Sequence, residues 1–227
     1  MNTDDTRPPP PNAAEQLRGF GPLGLLAIVV ILAGALVGPP VSASLVLAWA
    51  WLSRTPWPEL GLRRPRSWAR TAVVGVVFGS AFKLALKALV MPLLGAPPAN
   101  PTYHYLAGNT AALPGILAAV VIGAGIGEEL FFRAYLFERS ARLFGRSRTA
   151  LTATVVLSAA VFALAHFQDQ GLPGVEQAAV TGLVFGGTFA WRRELPIVMI
   201  AHAAFDVTAV ALIYWNWEVP LARLLFR

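Results

Sequence analysis

G125-I-G-E-E-L-F-F-R133 decides how this chain is read. Glu128, Glu129 and Arg133 are the only charged residues between Ala111 and Phe137, inside a run that is otherwise apolar. A charge at bilayer depth costs at least about 2.5–3.5 kcal/mol on insertion scales. Two neighbouring carboxylates cannot both ionise cheaply unless a cation or a shared proton relieves them. A structural salt bridge between Glu129 and Arg133, spaced i, i+4 on a helix, accounts for two of the three charges. Glu128 is left over, so the acid pair reads as a functional site rather than as a device for stability.

Outward from this stretch the chain is apolar almost throughout. It has 227 residues, 56% hydrophobic and 13% charged, with mean hydropathy +0.59. A soluble domain carries about 25% charged residues. The long apolar runs predict an all-α, polytopic transmembrane helical bundle of six to seven spans, with a polar active-site cavity in its core. The net charge of +6 does not indicate nucleic acid, because the arginines sit in short loops where they set membrane orientation. With no cysteine, disulfides, thiolate catalysis and cysteine metal sites are excluded. No cleavable signal peptide is expected from the polar, Pro-rich start.

Residues 1–19 read as a disordered tail. Residues 20–53, broken at Gly38, Pro39 and Pro40, are roughly 50 Å long if helical, too long for one span and short for two. They predict a kinked hairpin of two short helices. Further spans are expected at 71–94, 112–137 with its helix running on to Phe144, 149–167, 174–191 and 196–216. Residues 20–110 thus form an N-terminal membrane region, 111–217 a catalytic core and 218–227 a C-terminal tail. Arginine concentrates in loops 54–70, 138–148 and 192–194, whereas 95–110 and 168–175 contain neither Lys nor Arg. The positive-inside rule puts the basic loops in the cytoplasm of a bacterial-type cell membrane, with the C-terminus outside.

Other polar residues share the apolar spans. His166 ends F162-A-L-A-H166, and His202 begins H202-A-A-F-D206, with Asp206 one turn on and on the same face. His104 lies in an outside loop and reads as solvated. A lone intramembrane histidine is ordinarily an interhelical hydrogen bond. Two of three histidines together with Glu128, Glu129 and Asp206, on three separate spans, point instead to one shared interior. Counted from the turn near Arg146, Glu128 and His166 fall at similar depth in an antiparallel hairpin. His202, a few residues past Arg192 and Arg193, is shallower unless that hairpin projects beyond the surface.

These motifs together resemble the CAAX prenyl protease and bacteriocin-processing family of intramembrane proteases, also called CPBP or Abi. Its pattern is EExxxR on one span, FxxxH on the next, and HxxxN or a similar polar residue on a later one. Here Glu128, Glu129 and Arg133 are followed by Phe162 and His166, then by His202 and Asp206. The stretch W57-P-E-L-G-L-R-R-P-R-S-W68 is similar to the family's segment before the core. The resemblance implies hydrolysis of a peptide bond in a membrane-associated protein or peptide, CAAX-type or bacteriocin-like, near the cytoplasmic face.

In chemical terms, Glu128, desolvated beside Glu129, suits a general base that activates water with His166. His202, oriented by Asp206, stabilises the oxyanion or completes a metal site. Arg133 holds Glu129 ionised, and Phe162 packs. Asp206 stands where the family commonly has Asn, and an ionised Asp accepts hydrogen bonds but does not donate them. Zinc is the candidate cofactor, with Glu128, His166 and His202 as its ligands. No HExxH is present, so a glutamate mechanism and a metalloprotease mechanism both stay open. So do two other functions: a non-catalytic immunity or scaffold protein of the same fold, and a proton-coupled transporter using Glu128, His166 and His202 as a relay. Lys83 and Lys87 are expected to make interhelical contacts. Gln168, Asp169 and Gln170 are expected in a polar outside loop, and Gly182, Gly186 and Gly187 at close helix contacts.

Overall fold

The computed structural model describes residues 11–226, and every regular element among them is helical. The first, α1 (Ala13–Arg18), is closed by a capping box. Asn12 Oδ1 accepts from the Glu15 N–H at 3.1 Å, and Glu15 Oε2 accepts from the Asn12 N–H at 3.0 Å. This corrects part of the expected 1–19 tail, of which residues 1–10 lie outside the described residues. The helix is also tied down, since its Leu17 carbonyl accepts from Trp49 Nε1 at 3.0 Å.

α2 (Pro22–Val37) and α3 (Pro39–Leu52) form the expected hairpin. Gly38 breaks it at φ 154°, open to glycine alone, and Pro39 begins α3 at the position where a missing N–H costs nothing. α4 (Trp68–Leu93) and α5 (Thr110–Phe144) follow, then α6 (Arg148–Ala165), α7 (Phe167–Arg192, broken at Gly171), α8 (Leu195–Tyr214) and the short α9 (Glu218–Ala222). The chain is an integral membrane protein: α4, α5, α6 and α8 are long and apolar enough to cross a bilayer, while α2 and α3 are shorter apolar helices. Leu36, Val37, Val73 and Leu164 are among many large apolar side chains left facing outward, as a lipid-facing surface requires.

α8 sits at the centre, against α4 on one side and α5 on another. Small residues allow the approach. A Cβ at Gly79 would lie 1.9 Å from the Ala201 carbonyl oxygen, and one at Gly125 2.7 Å from Ala203 Cβ. Ala201 and Ala203 flank His202, so these two contacts fix that histidine's height and distance from the neighbouring helices. Phe82, Phe185 and Phe205 fill the space between with tilted and edge-on rings. Of the glycines expected at close contacts, a Cβ at Gly182 would lie 2.9 Å from Ala159 Cα, one at Gly186 would make ordinary contact, and one at Gly187 would face open space.

Two further corrections concern the ends of the bundle. Glu218 does not belong to a free tail: it is buried and paired with Lys87 at 3.0 Å. Glu138 and Arg139 do not emerge into a solvated loop. Both are buried, with Glu138 paired to Arg139 at 2.6 Å and to Arg142 at 2.9 Å, and with the Arg139 guanidinium donating to the Arg18 carbonyl.

Candidate active site

The acid pair lies on an unusual stretch of α5. Ala119–Glu128 and Leu130–Tyr135 are wound as π-helix, a form that ordinarily occurs as single turns and often at functional sites. Nothing in the local sequence signals this winding. Its inward face carries Gly125, Gly127, Glu129 and Arg133, all buried. A Cβ at Gly127 would lie 2.9 Å from the Pro39 carbonyl carbon, so the residue just before the acids packs directly on the start of α3.

Glu129 is the hub. Its side chain is 0% exposed and that of Arg133 is 1% exposed, and Oε1 accepts from Arg133 Nη1 at 2.8 Å. The same oxygen lies 2.7 Å from His202 Nδ1. A carboxylate already paired to a guanidinium only accepts, so the proton of this bond belongs to His202 Nδ1. The expected roles are thereby rearranged. Arg133 does pair with Glu129, but the group that orients His202 is Glu129, not Asp206. Asp206 Oδ2 is 3.5 Å from the other ring nitrogen, Nε2, and Glu128 Oε2 is 3.8 Å from it. Local i, i+4 spacing pointed to Asp206; the stronger contact joins residues 73 positions apart.

Glu128, Glu129, Arg133, His202 and Asp206 thus form one connected group. His202 meets the acid pair directly, although it lies fewer residues from its basic turn than they do from theirs. His166 joins less tightly. Its Nδ1 is 2.8 Å from the Phe162 carbonyl oxygen, an acceptor only, so Nδ1 holds the proton and Nε2 is left as an acceptor. Its ring is 4.6 Å from that of Phe162, which itself lies 6.0 Å from the His202 ring and 4.6 Å below the Arg133 guanidinium. Phe162, 2% exposed, is therefore the packing wedge between the two histidines. His166 makes no hydrogen bond to Glu128 or Asp206 among the described residues.

The group is closed at one end and open at the other. Side-chain exposure is 0% at Glu129 and 1% at Arg133, against 16% at Glu128 and 22% at Asp206. His166 ends α6 at the end remote from Arg148. The opening therefore faces loop 95–110 and the first turn of α7 at 167–170, where a loop was expected, not the arginine loops. Glu128 Oε2 is buried without a hydrogen-bond partner, as is Glu129 Oε2. An unpartnered buried carboxylate oxygen beside an imidazole nitrogen is equipped to bind and deprotonate a water.

Among the described residues no group of three or more His, Asp or Glu side chains is arranged to hold a metal ion. His202 can offer only Nε2, because Nδ1 is bound to Glu129. The donors expected to take zinc are not gathered as a ligand set.

The remaining polar residues are placed by ordinary contacts. Lys83 Nζ donates to Gln177 Oε1 at 2.8 Å and sits 4.7 Å over the Phe205 ring, an interhelical role as expected. His104 is exposed, and so are Gln168 and Asp169. Glu176, inside the span expected at 174–191, is a further acid and is half-buried in α7.

No curated protein and no solved structure matches the chain. Residues 110–208 match the family model described as Rce1-like, type II CAAX prenyl endopeptidase Rce1-like. The matched segment begins with α5 and ends two residues past Asp206, so it encloses every member of the connected group. Through that segment, which is less than half of the chain, the protein is similar to type II CAAX prenyl endopeptidases.

Proposed function

We propose that the chain hydrolyses a peptide bond of a membrane-associated protein or peptide, CAAX-type or bacteriocin-like, using a water activated by Glu128. The observation that carries this reading is the unpartnered Glu128 Oε2, 3.8 Å from His202 Nε2 inside a ring of polar groups. Water bound to Glu128 gives up its proton to that carboxylate as its oxygen attacks the scissile carbonyl. His166, with Nε2 free to accept, orients the same water. His202 faces the developing oxyanion through Nε2 and donates to it when that nitrogen is protonated. Glu129, paired to Arg133, fixes the ring and stabilises positive charge on it. Glu128 then returns its proton to the leaving amine, which closes the cycle.

Asp206 acts on the open side of His202, where a carboxylate attracts the imidazolium and a protonated acid donates to the oxyanion. Substrate reaches the group from the end bearing loop 95–110. With the arginine loops in the cytoplasm, that end faces the opposite side of the membrane, which departs from the expected opening toward the cytoplasm. The test of function is mass spectrometry of membranes containing the wild-type protein or Glu128→Ala at equal abundance. Cleavage products present only with the wild type support the reading. Identical peptide profiles, with proton-driven uptake into liposomes, would favour a transporter instead.

A further inference from the structure

Loop 95–110 is anchored by charges that the catalytic reading does not use. Lys87, in the π-wound turn Leu86–Val90 of α4, and Glu218, at the start of α9, are 7% and 8% exposed. Their ion pair spans 3.0 Å. The second oxygen of Glu218 accepts from the Asn100 N–H at 3.2 Å. Asn100 Oδ1 in turn accepts from the N–H groups of Thr102 at 3.0 Å and Tyr103 at 3.3 Å. On its other side the loop is tied to the turn after His166, where Thr102 Oγ1 donates to the Asp169 carbonyl at 3.1 Å.

The end of this chain of contacts is Tyr103. It is half-buried against Val210 and Ile213, and Val210 lies one helical turn beyond Asp206 on the same face of α8. The phenol pKa is raised, first by burial and then by the charges of Asp169, Asp206, Tyr105 and Glu128. Its hydroxyl therefore keeps its proton through neutral pH, and the ring packs on α8 one turn beyond Asp206. A buried ion pair is weak evidence for stability, because desolvation offsets its attraction. A pair placed to hold one loop in one position fits a role in specificity better.

We propose that the Lys87–Glu218 pair latches loop 95–110 as a roof over the active site, and that Tyr103 is a substrate-positioning residue whose hydroxyl donates to the backbone of the bound peptide. This rests on the peptidase reading above.

The test uses full-length protein in liposomes with a cleavable membrane peptide. Tyr103→Phe removes only the hydroxyl, and the expected result is a KM raised about 10-fold with kcat within about 2-fold, the size of one lost hydrogen bond. Lys87→Met with Glu218→Leu removes the latch without leaving a buried charge unpaired. It should lower kcat/KM by a similar factor and add little to Tyr103→Phe, because residues in one chain of contacts do not act additively. If that double variant fails to fold, Asn100→Ala cuts the same chain at a less buried point. A second readout needs no catalysis: the wild type has no cysteine, so Tyr103→Cys reports on the roof through its labelling by a water-soluble maleimide. Labelling should accelerate about 10-fold when the latch is removed, as local opening becomes more populated. Wild-type kcat/KM in Tyr103→Phe, full multiplication of the two effects, or unchanged labelling would each overturn the proposal. Cleavage persisting in Glu128→Gln would instead overturn the peptidase reading, and the labelling arm would still decide on the latch.

Discussion

Glu129→Gln separates the two partners of the hub by their consequences. Glu129 and Arg133 are 0% and 1% exposed, and Oε1 serves Arg133 at 2.8 Å and His202 at 2.7 Å. The glutamine side chain keeps a carbonyl oxygen for both contacts but removes the charge. The Arg133 guanidinium is then buried without a counter-charge, which costs about 3–5 kcal/mol. At about 2–4 °C per kcal/mol for a chain of this size, the midpoint of thermal unfolding falls by roughly 6–20 °C. Adding Arg133→Met removes the orphaned cation and should restore most of that loss, since a buried pair replaced by neutral groups of similar volume is often neutral in stability. Activity should not return with it. His202 still lacks the anion that orients it and stabilises its positive charge, a loss that reaches about 10⁴-fold in kcat in a hydrolase whose histidine loses its carboxylate. The assay pairs thermal unfolding in detergent with single-turnover cleavage in liposomes. A double variant that folds and cleaves like the wild type would refute the hub argument. So would a single variant that unfolds at the wild-type temperature.

Three other outcomes follow from the geometry. Gly79→Ala puts a methyl group 1.9 Å from the Ala201 carbonyl oxygen, a backbone atom that cannot yield, so α8 must shift. An overpacking cost of about 1–3 kcal/mol should appear in thermal unfolding, with a larger proportional loss of activity because His202 moves with its helix. Asp206→Asn should reduce turnover about 10- to 100-fold if Asp206 acts by charge, and should preserve it if Asp206 acts as a donor; Asp206→Ala is damaging on both accounts, and full activity in it would remove Asp206 from the site. Single cysteines at positions 140 and 104 should label from opposite faces, with 140 reached from the cytoplasm. Label reaching both from one side would contradict the alternation of arginine loops.

Much of this was legible because burial of charge in lipid leaves few options. The acid pair, Arg133, His166, His202 and Asp206 stood out against apolar runs, and all of these but His166 meet in one connected group. The break at Gly38 was equally readable, since Gly-Pro-Pro cannot continue a helix. Some features were present in the sequence and overlooked. Asn12 followed by Glu15 is a capping-box signal, hidden by the prolines before it. G75-V-V-F-G79 is a small-residue spacing that marks the α4–α8 contact. Others could not be read. The π winding of 119–135 has no local residue signature, and the partner of His202 is a tertiary fact, for which helical spacing supplied the nearer but weaker candidate. The burial of Glu218 could not be read either, because only the folded chain brings Lys87 against it from 131 positions away.

The central claim is that Glu128 activates the water. Glu128→Gln keeps the size and leaves the Glu129–Arg133–His202 contacts in place, but it removes the base. In purified protein reconstituted with a peptide that the wild type cleaves, single-turnover rates should fall by about 10²- to 10⁴-fold, the usual contribution of a general base, with the unfolding midpoint unchanged or slightly raised. A Glu128→Gln protein that cleaves the same bond at the wild-type rate would contradict the account.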